Sequence, residues 1–187
     1  KVRMASFTIK KGLDIKLAGA PESTLADASA ANTVTVFPAD YGRMKPRLLV
    51  QEGSAVKRGS PLLCDKQNEA MRVTAPAGGV VKSLVYGPRR VLERIVIETA
   101  GQEEVESYPR HQAAQVVNLE RDEVLLALQS SGLLVLIRQR PFGHMANPAA
   151  AAKSIFVNAM ARAPFQADIN TVIKGREVAF QAGLDAL

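Results

Sequence analysis

Two glycine-punctuated patterns constrain this chain more than anything else in it. Gly53-x-x-Val56-x-x-Gly59-x-x-Leu62 sets glycines at fixed spacing around one inward Val and one inward Leu. That spacing suits tight turns with positive φ between short strands folded over a small core. Ala75-Pro76-Ala77-Gly78-Gly79-Val80-Val81 repeats the logic with a proline that cannot donate to a ladder, a glycine turn and a β-branched run. Short strands are predicted around both. Leu48-Leu49-Val50 ends at Glu52-Gly53, Val56 opens another extended piece, Lys57-Arg58-Gly59 turns, and Pro61-Leu62-Leu63-Cys64 is the next strand. A last strand, Val91 to Thr99, is expected to put Val91, Ile95 and Ile97 on one face, with Glu93 and Arg94 as a solvated interruption. Residues 46–100 therefore read as one compact all-β unit. Ahead of it, residues 1–45 hold a hairpin or edge strand over Phe7–Leu17, a polar loop up to Asn32, and a strand from Thr33 to Phe37 stopped by Pro38.

Beyond Gly101 the apolar period changes from 2 to 3.6, which sets residues 101–187 apart. Asn118 is expected to cap a helix whose first turn holds Glu120, Asp122 and Glu123, with Val124, Leu125 and Leu128 as its apolar stripe and Gly132 at its end. A short helix is predicted from Leu133 to Gln139, stopping before Pro141. Ser154 to Ala159 reads as a buried strand. A further helix follows Asn170 and runs through Ala182, with Ile173, Phe180 and Leu184 near one face. Helix, strand and helix are the start of an open α/β sheet.

Composition narrows the function. A 187-residue chain that is 47% hydrophobic and 22% charged buries a core and is neither disordered nor fibrous. The single cysteine, Cys64, rules out an internal disulfide framework and implies a reducing compartment, and no zinc or iron–sulfur site can be assembled from it. No apolar run approaches the roughly 18 residues of a membrane span. The net charge is +6, and its excess lies wholly in residues 41–100, which carry 11 basic and 5 acidic side chains. A local basic face attracts any acidic partner, but without interleaved aromatics or a recognition helix it does not specify nucleic acid.

No complete catalytic constellation can be drawn. The dinucleotide, P-loop and nucleophile-elbow patterns are all missing, and His111 and His144 stand alone in polar context as surface residues. The residues that stand out are arginines: Arg89-Arg90 after the Gly87-Pro88 turn, and Arg138-Gln139-Arg140-Pro141-Phe142. Guanidinium groups beside a proline-fixed backbone suit carboxylate, phosphate or quinone-carbonyl partners, and they equally suit internal salt bridges. Arg89, Arg90, Arg138, Arg140 and Phe142 are thus the candidate contacts to a quinone or to another subunit, with no catalytic and no metal-binding residue assigned.

The β unit resembles the biotinyl and lipoyl carrier family, the barrel-sandwich hybrid or hammerhead fold. The two glycine patterns match its two halves. Asp65-Lys66 is similar to the lipoyl Asp-Lys-Ala, and Glu69-Ala70-Met71-Arg72 to the biotinyl Glu-Ala-Met-Lys. Neither tip is intact, since Lys66 lies too far from Pro76 and Arg72 cannot form the amide. The module is therefore expected to be unmodified, and the alternative is a carrier or adaptor domain of a biotin- or lipoate-dependent enzyme.

Taken in order, Lys11-Gly12-Leu13-Asp14-Ile15, Gly19-x-Pro21, Pro46, the barrel pattern, Arg89-Arg90-Val91-Leu92-x-x-Ile95-Val96-Ile97-Glu98, Ser131-Gly132-Leu133, Arg138-x-Arg140-Pro141-Phe142, Ile155-Phe156-Val157-x-Ala159-Met160 and Ala179-Phe180-x-Ala182-Gly183-Leu184-Asp185 resemble the A subunit of the bacterial Na+-translocating NADH:quinone oxidoreductase. The resemblance implies an α+β chain, a hammerhead followed by the start of a Rossmann-like α/β domain related to the flavin subunit of respiratory complex I. It implies a peripheral subunit on the cytoplasmic face of the bacterial inner membrane, at the quinone-reducing end of a pump that moves electrons from NADH to ubiquinone while exporting Na+. Other subunits of the pump would be its partners, ubiquinone a possible one, and nucleic acid none. NADH, flavins and iron–sulfur would be handled elsewhere in the complex. The complex I relative wraps FMN in a glycine-rich loop, where this chain has Arg138-Gln139-Arg140-Pro141-Phe142-Gly143, so no FMN is expected here.

Overall fold

The computed structural model describes residues 8, 17–42, 44–159 and 163–187. These fall into two compact units, one drawn from Ala28–Ile155 and Val178–Leu187, the other from Lys1–Asp27 and Phe156–Glu177. The hairpin or edge strand expected over Phe7–Leu17 lies almost wholly outside the described residues, as does the Lys11–Ile15 motif.

The larger unit begins with β1 (Thr33–Val36), a β-branched strand. It is followed by β2 (Pro46–Leu48), β3 (Ala55–Val56), β4 (Pro61–Asp65), β5 (Arg72–Thr74), β6 (Gly79–Tyr86) and β7 (Leu92–Thr99). Every pairing among these described strands is antiparallel. One sheet has the order β1-β7-β6-β3 and the other β2-β4-β5. Prolines open β2 and β4, the positions where a missing N–H is tolerated. The core between the sheets is Val36, Val56, Leu62, Val73, Ala75, Val81, Ile95, Ile97 and their neighbours, and Leu62, Val81, Ile95 and Ile97 are fully buried. Gly53 and Gly59 both take the positive φ that their spacing required.

β4 is buried on both faces, from Leu62 through Asp65. Leu134 and Val135, of a 3₁₀ turn beyond the barrel, join the same buried cluster, and that turn packs against β5. The barrel also keeps hold of the chain after β7. Arg58 pairs with Val105 in a parallel bridge, through Arg58 N to Glu104 O at 2.8 Å and Glu106 N to Arg58 O at 2.9 Å. Ser60 donates to Glu106 at 2.7 Å, and the Tyr108 hydroxyl donates to the Gly59 carbonyl at 2.8 Å. Burial, with the nearby Glu106 charge added, raises the Tyr108 phenol above its ordinary range.

Helix α1 (Arg121–Ser130) comes next. Its end is a complete Schellman motif, in which Leu133 N donates to Leu128 O at 2.9 Å and Gly132 N to Gln129 O at 3.2 Å, with Gly132 at φ 73°. Leu125 and Leu128 of the expected stripe pack against the core. β8 (Arg138–Gln139) and β9 (His144–Met145) form a small hairpin, and α2 (Ile169–Ile173) and α3 (Glu177–Asp185) close the chain.

Several expected elements are corrected. The first barrel strand is Pro46–Leu48 rather than 48–50, because Gln51 and Ser54 already make the turn, with Ser54 N on Gln51 O at 3.1 Å. Val91 is exposed and Leu92 buried, because the β6–β7 register slips between Val85 and Tyr86, and a bulge there moves the inward phase by one residue. Asn118 does not cap α1. It ends a 3₁₀ run, Ala113–Asn118, and Glu120 caps the helix in a box with Glu123. The segment 133–139 is the 3₁₀ turn Leu134–Leu136 followed by β8, not one helix. Residues 154–159 form no strand and are exposed, since no described strand lies alongside to take their hydrogen bonds. The last helix is broken in two at Gly175, where φ is 77°. Asp168 caps the first piece, accepting from Thr171 N at 3.2 Å.

Candidate functional site

The β4–β5 connection is where a carrier would present its lysine. Here Asp65 is buried and its carboxylate accepts from Lys45 N and Gln67 N, each at 3.2 Å. Its own amide donates to Met71 O at 3.0 Å. Met71 is a core residue, and Arg72 stands in the ladder opposite Cys64 rather than at a tip. Lys66 is exposed, directly after β4, with its amide on Lys45 O at 2.9 Å. An ion pair, Arg47 Nη1 to Glu69 Oε1 at 2.6 Å, ties this connection to β2. The hydrogen bond and charge of Arg47 hold the Glu69 carboxyl below its ordinary range. The pairing itself was not legible in the sequence. Arg47 and Glu69 are far apart along the chain, and only the β2–β4 register brings them together.

The arginine candidates fall on two different hairpins. Arg138 Nη2 donates to Asp40 O at 2.9 Å, and its guanidinium lies across Gly42. Arg140 and Phe142 lie on the exposed turn between β8 and β9, and Phe142 meets the His144 ring edge-on at 6.2 Å. Arg140 makes no hydrogen bond or ion pair with any described residue. The turn's amides form no continuous row, since Pro141 has no N–H and Gly143 N is bonded to Gln139 O at 3.0 Å.

Arg89 and Arg90 form the two central residues of the β6–β7 turn, each at φ 57°, closed by Val91 N to Pro88 O at 3.3 Å and Gly87 N to Val91 O at 2.8 Å. This is a type I′ geometry, which ordinarily goes to Asn-Gly. A left-handed non-glycine residue costs on the order of 1–3 kcal/mol. Both arginines are exposed, as are Tyr86 at 51% and Val91 at 59% beside them.

Among the described residues no group of His, Cys, Asp and Glu side chains could hold a metal ion, and no helix is long and apolar enough to cross a membrane. Cys64 is buried and free.

The fold defines a barrel-sandwich hybrid module carried with an α/β segment. Residues 7–100 match the family described as the NqrA N-terminal barrel-sandwich hybrid domain, and residues 119–187 match the NqrA second alpha/beta domain. The chain belongs to the NqrA family. Among its relatives are the A subunits of Na(+)-translocating NADH-quinone reductases. It is 39% identical over 179 residues to the one from Alcanivorax borkumensis, and 40% identical over 179 residues to the one from Pseudomonas aeruginosa. It is 40% identical over 180 residues to the one from Yersinia pseudotuberculosis. In each case the match takes in 96% of this chain and 40% of the relative, so the chain spans less than half the length of these relatives.

Proposed function

We propose that this chain is the N-terminal part of a peripheral subunit of a Na+-pumping NADH:ubiquinone oxidoreductase. It sits on the cytoplasmic face of the bacterial inner membrane and contributes to the quinone-reducing end. The observation that carries the reading is the joint match, in order, of both halves of the chain to the A subunit of the Na+-translocating reductase. The protein works through the other subunits of the pump, which supply NADH oxidation, flavins and iron–sulfur and couple electron transfer to Na+ export. It carries no catalytic or metal-binding residue of its own. Support for a chain without FMN comes from the Arg140–Gly143 turn, where the backbone offers no free stack of amides. Arg140 and Phe142, exposed together, are the contacts proposed toward quinone or a neighbouring subunit.

The test is complementation of a host lacking the full-length subunit, with NADH:quinone reductase activity and Na+ export measured in membranes. The full-length protein carrying these residues should restore both and copurify with the membrane subunits. Restoration of neither would overturn the reading. The carrier alternative rests on Lys66, exposed directly after the buried Asp65, and intact mass of protein from the native host separates the two. The expected mass is that of the bare polypeptide, whereas a lipoyl or biotinyl increment at Lys66 would favour the carrier.

A further inference from the structure

Three of the barrel's six described arginines already have partners. Arg47 pairs with Glu69, Arg72 Nε donates to Glu69 O at 3.3 Å, and Arg58 pairs with Glu103 at 3.2 Å. Lys57 and Lys82 are paired with Glu104 and Glu98. The described barrel arginines left without an ion pair or side-chain hydrogen bond to a described residue are Arg89, Arg90 and Arg94, all on the β6–β7 hairpin.

That hairpin also outruns its neighbours. β1 pairs with β7 only from Ile95 to Glu98, and β3 pairs with β6 only at Gly79 and Val80. The distal pairs, Val85 with Arg94 and Tyr86 with Leu92, have no third strand beside them. Leu92, in the last pair before the turn, is buried and Leu84 packs against the core, so the hairpin is held to the core up to that pair and the turn beyond it is left exposed. At its end two arginines occupy a backbone conformation that glycine and asparagine take more easily. Strained residues of this kind persist only where the surrounding structure holds them, and they cluster at functional sites.

We propose that this tip is a docking peg that grips an acidic surface on another protein subunit of the pump, with Arg89 and Arg90 on carboxylates and Tyr86 and Val91 against an apolar patch between them. The proposal rests on the subunit reading given under the proposed function. Fixed geometry favours a protein over a lipid surface. A fluid layer of anionic headgroups rewards the number of charges, typically about four to eight basic residues in a cluster, and gains nothing from a rigid turn. A folded partner with fixed carboxylates rewards two forks held in place, because each can bind bidentately. Tyrosine and arginine are also the residue types that dominate binding where they sit at an interface centre.

The experiment uses the full-length protein within the complex, purified through a tag on a membrane subunit. Arg89→Asn with Arg90→Gly removes both forks and supplies the residues the turn prefers. The thermal midpoint of the isolated protein should rise by a few degrees, so that misfolding cannot explain lost binding. Retention in the complex should fall at least about tenfold, and wild-type retention should weaken as salt is raised from about 50 to about 500 mM. Arg89→Lys with Arg90→Lys should bind with intermediate strength. Variant retention equal to wild type across the salt series would overturn the peg while leaving the subunit reading intact. Lysine variants fully equal to wild type would overturn the fixed-fork geometry. Loss of binding to phosphatidylglycerol vesicles with unchanged retention in the complex would assign the tip to lipid instead. Failure of the wild-type protein to copurify would overturn the subunit reading, and the peg with it.

Discussion

Arg138 and Arg140 are neighbours on one hairpin, yet their surroundings differ. Arg138 is bonded to the Asp40 carbonyl and covers Gly42, tying β8 to the loop after β1, whereas Arg140 projects from the turn with no described partner. A hydrogen bond of this kind is worth about 1 kcal/mol, and in a chain of this size that moves a melting midpoint by about 2–4 °C. Arg138→Ala should therefore lower the midpoint by that amount. Arg140→Ala should leave it unchanged and reduce quinone reductase activity in the assembled complex. Calorimetry of the isolated protein and turnover of the complex check the two halves separately, and an unchanged rate with Arg140→Ala would remove the turn from the quinone or subunit contacts. The Arg47–Glu69 pair gives a pH-dependent counterpart. The Glu69 carboxyl is held below its ordinary value of 4.5 in the folded state, so its contribution to stability is present above that pH and is lost as pH falls through the lower folded value. The pair is exposed, so the effect is small. Glu69→Gln should melt slightly below wild type at neutral pH, and the two melting curves should converge on the acid side of pH 4.5.

At the scale of the element, the end of α1 is the joint between the barrel and the helical segment beyond it. Gly132 has a left-handed φ, and a Cβ built there would lie 2.8 Å from Thr74 Oγ1 and 3.2 Å from Arg72 O, so both backbone and neighbours demand glycine. Gly132→Ala adds a left-handed penalty of about 1–2 kcal/mol to the steric one, and a midpoint fall of several degrees is expected. Pairing it with Thr74→Ala should recover only part of the loss. The hydroxyl clash goes, but the left-handed strain stays and the Thr74 bond to Ser131 O is lost; a fully additive double mutant would show that the contact is not felt. Gly132, like the barrel glycines, was legible because its conformation is a local demand. The strand face of Val91 was not legible, since a bulge set by cross-strand register overrides the period of 2. The same holds for Asn118. It is a good cap by type, but the Gln112–Gln115 box upstream winds residues 113–118 into their own 3₁₀ run, leaving Glu120 to start α1. Residues 154–159 have the composition of a buried strand, but a strand needs a neighbour, and composition does not supply one.

For the whole molecule, free amides and thiols decide what the chain can hold without partners. A flavin phosphate needs backbone amides free to converge on it. In the Arg140–Gly143 turn Pro141 has no N–H and Gly143 N is bonded to Gln139 O, which breaks any continuous row of free amides, and Phe142 is exposed. An iron–sulfur cluster needs several thiolates, and the sequence has one cysteine, which the barrel packs at 1% exposure beside Leu63 and opposite Arg72 and Arg47 in the ladder. Together these predict that the purified chain is colourless, with no absorbance between about 350 and 550 nm beyond scattering and no bound flavin released on acid precipitation. The recombinant chain should be purified both from cells expressing the whole pump and from cells expressing the chain alone, because a cofactor inserted during assembly would appear only in the first. A stoichiometric yellow chromophore that survives gel filtration in either preparation would overturn the expectation. It would move part of the electron path into this chain, and the Arg140–Phe142 turn would then have to be read as a cofactor contact rather than a contact to quinone or a neighbouring subunit.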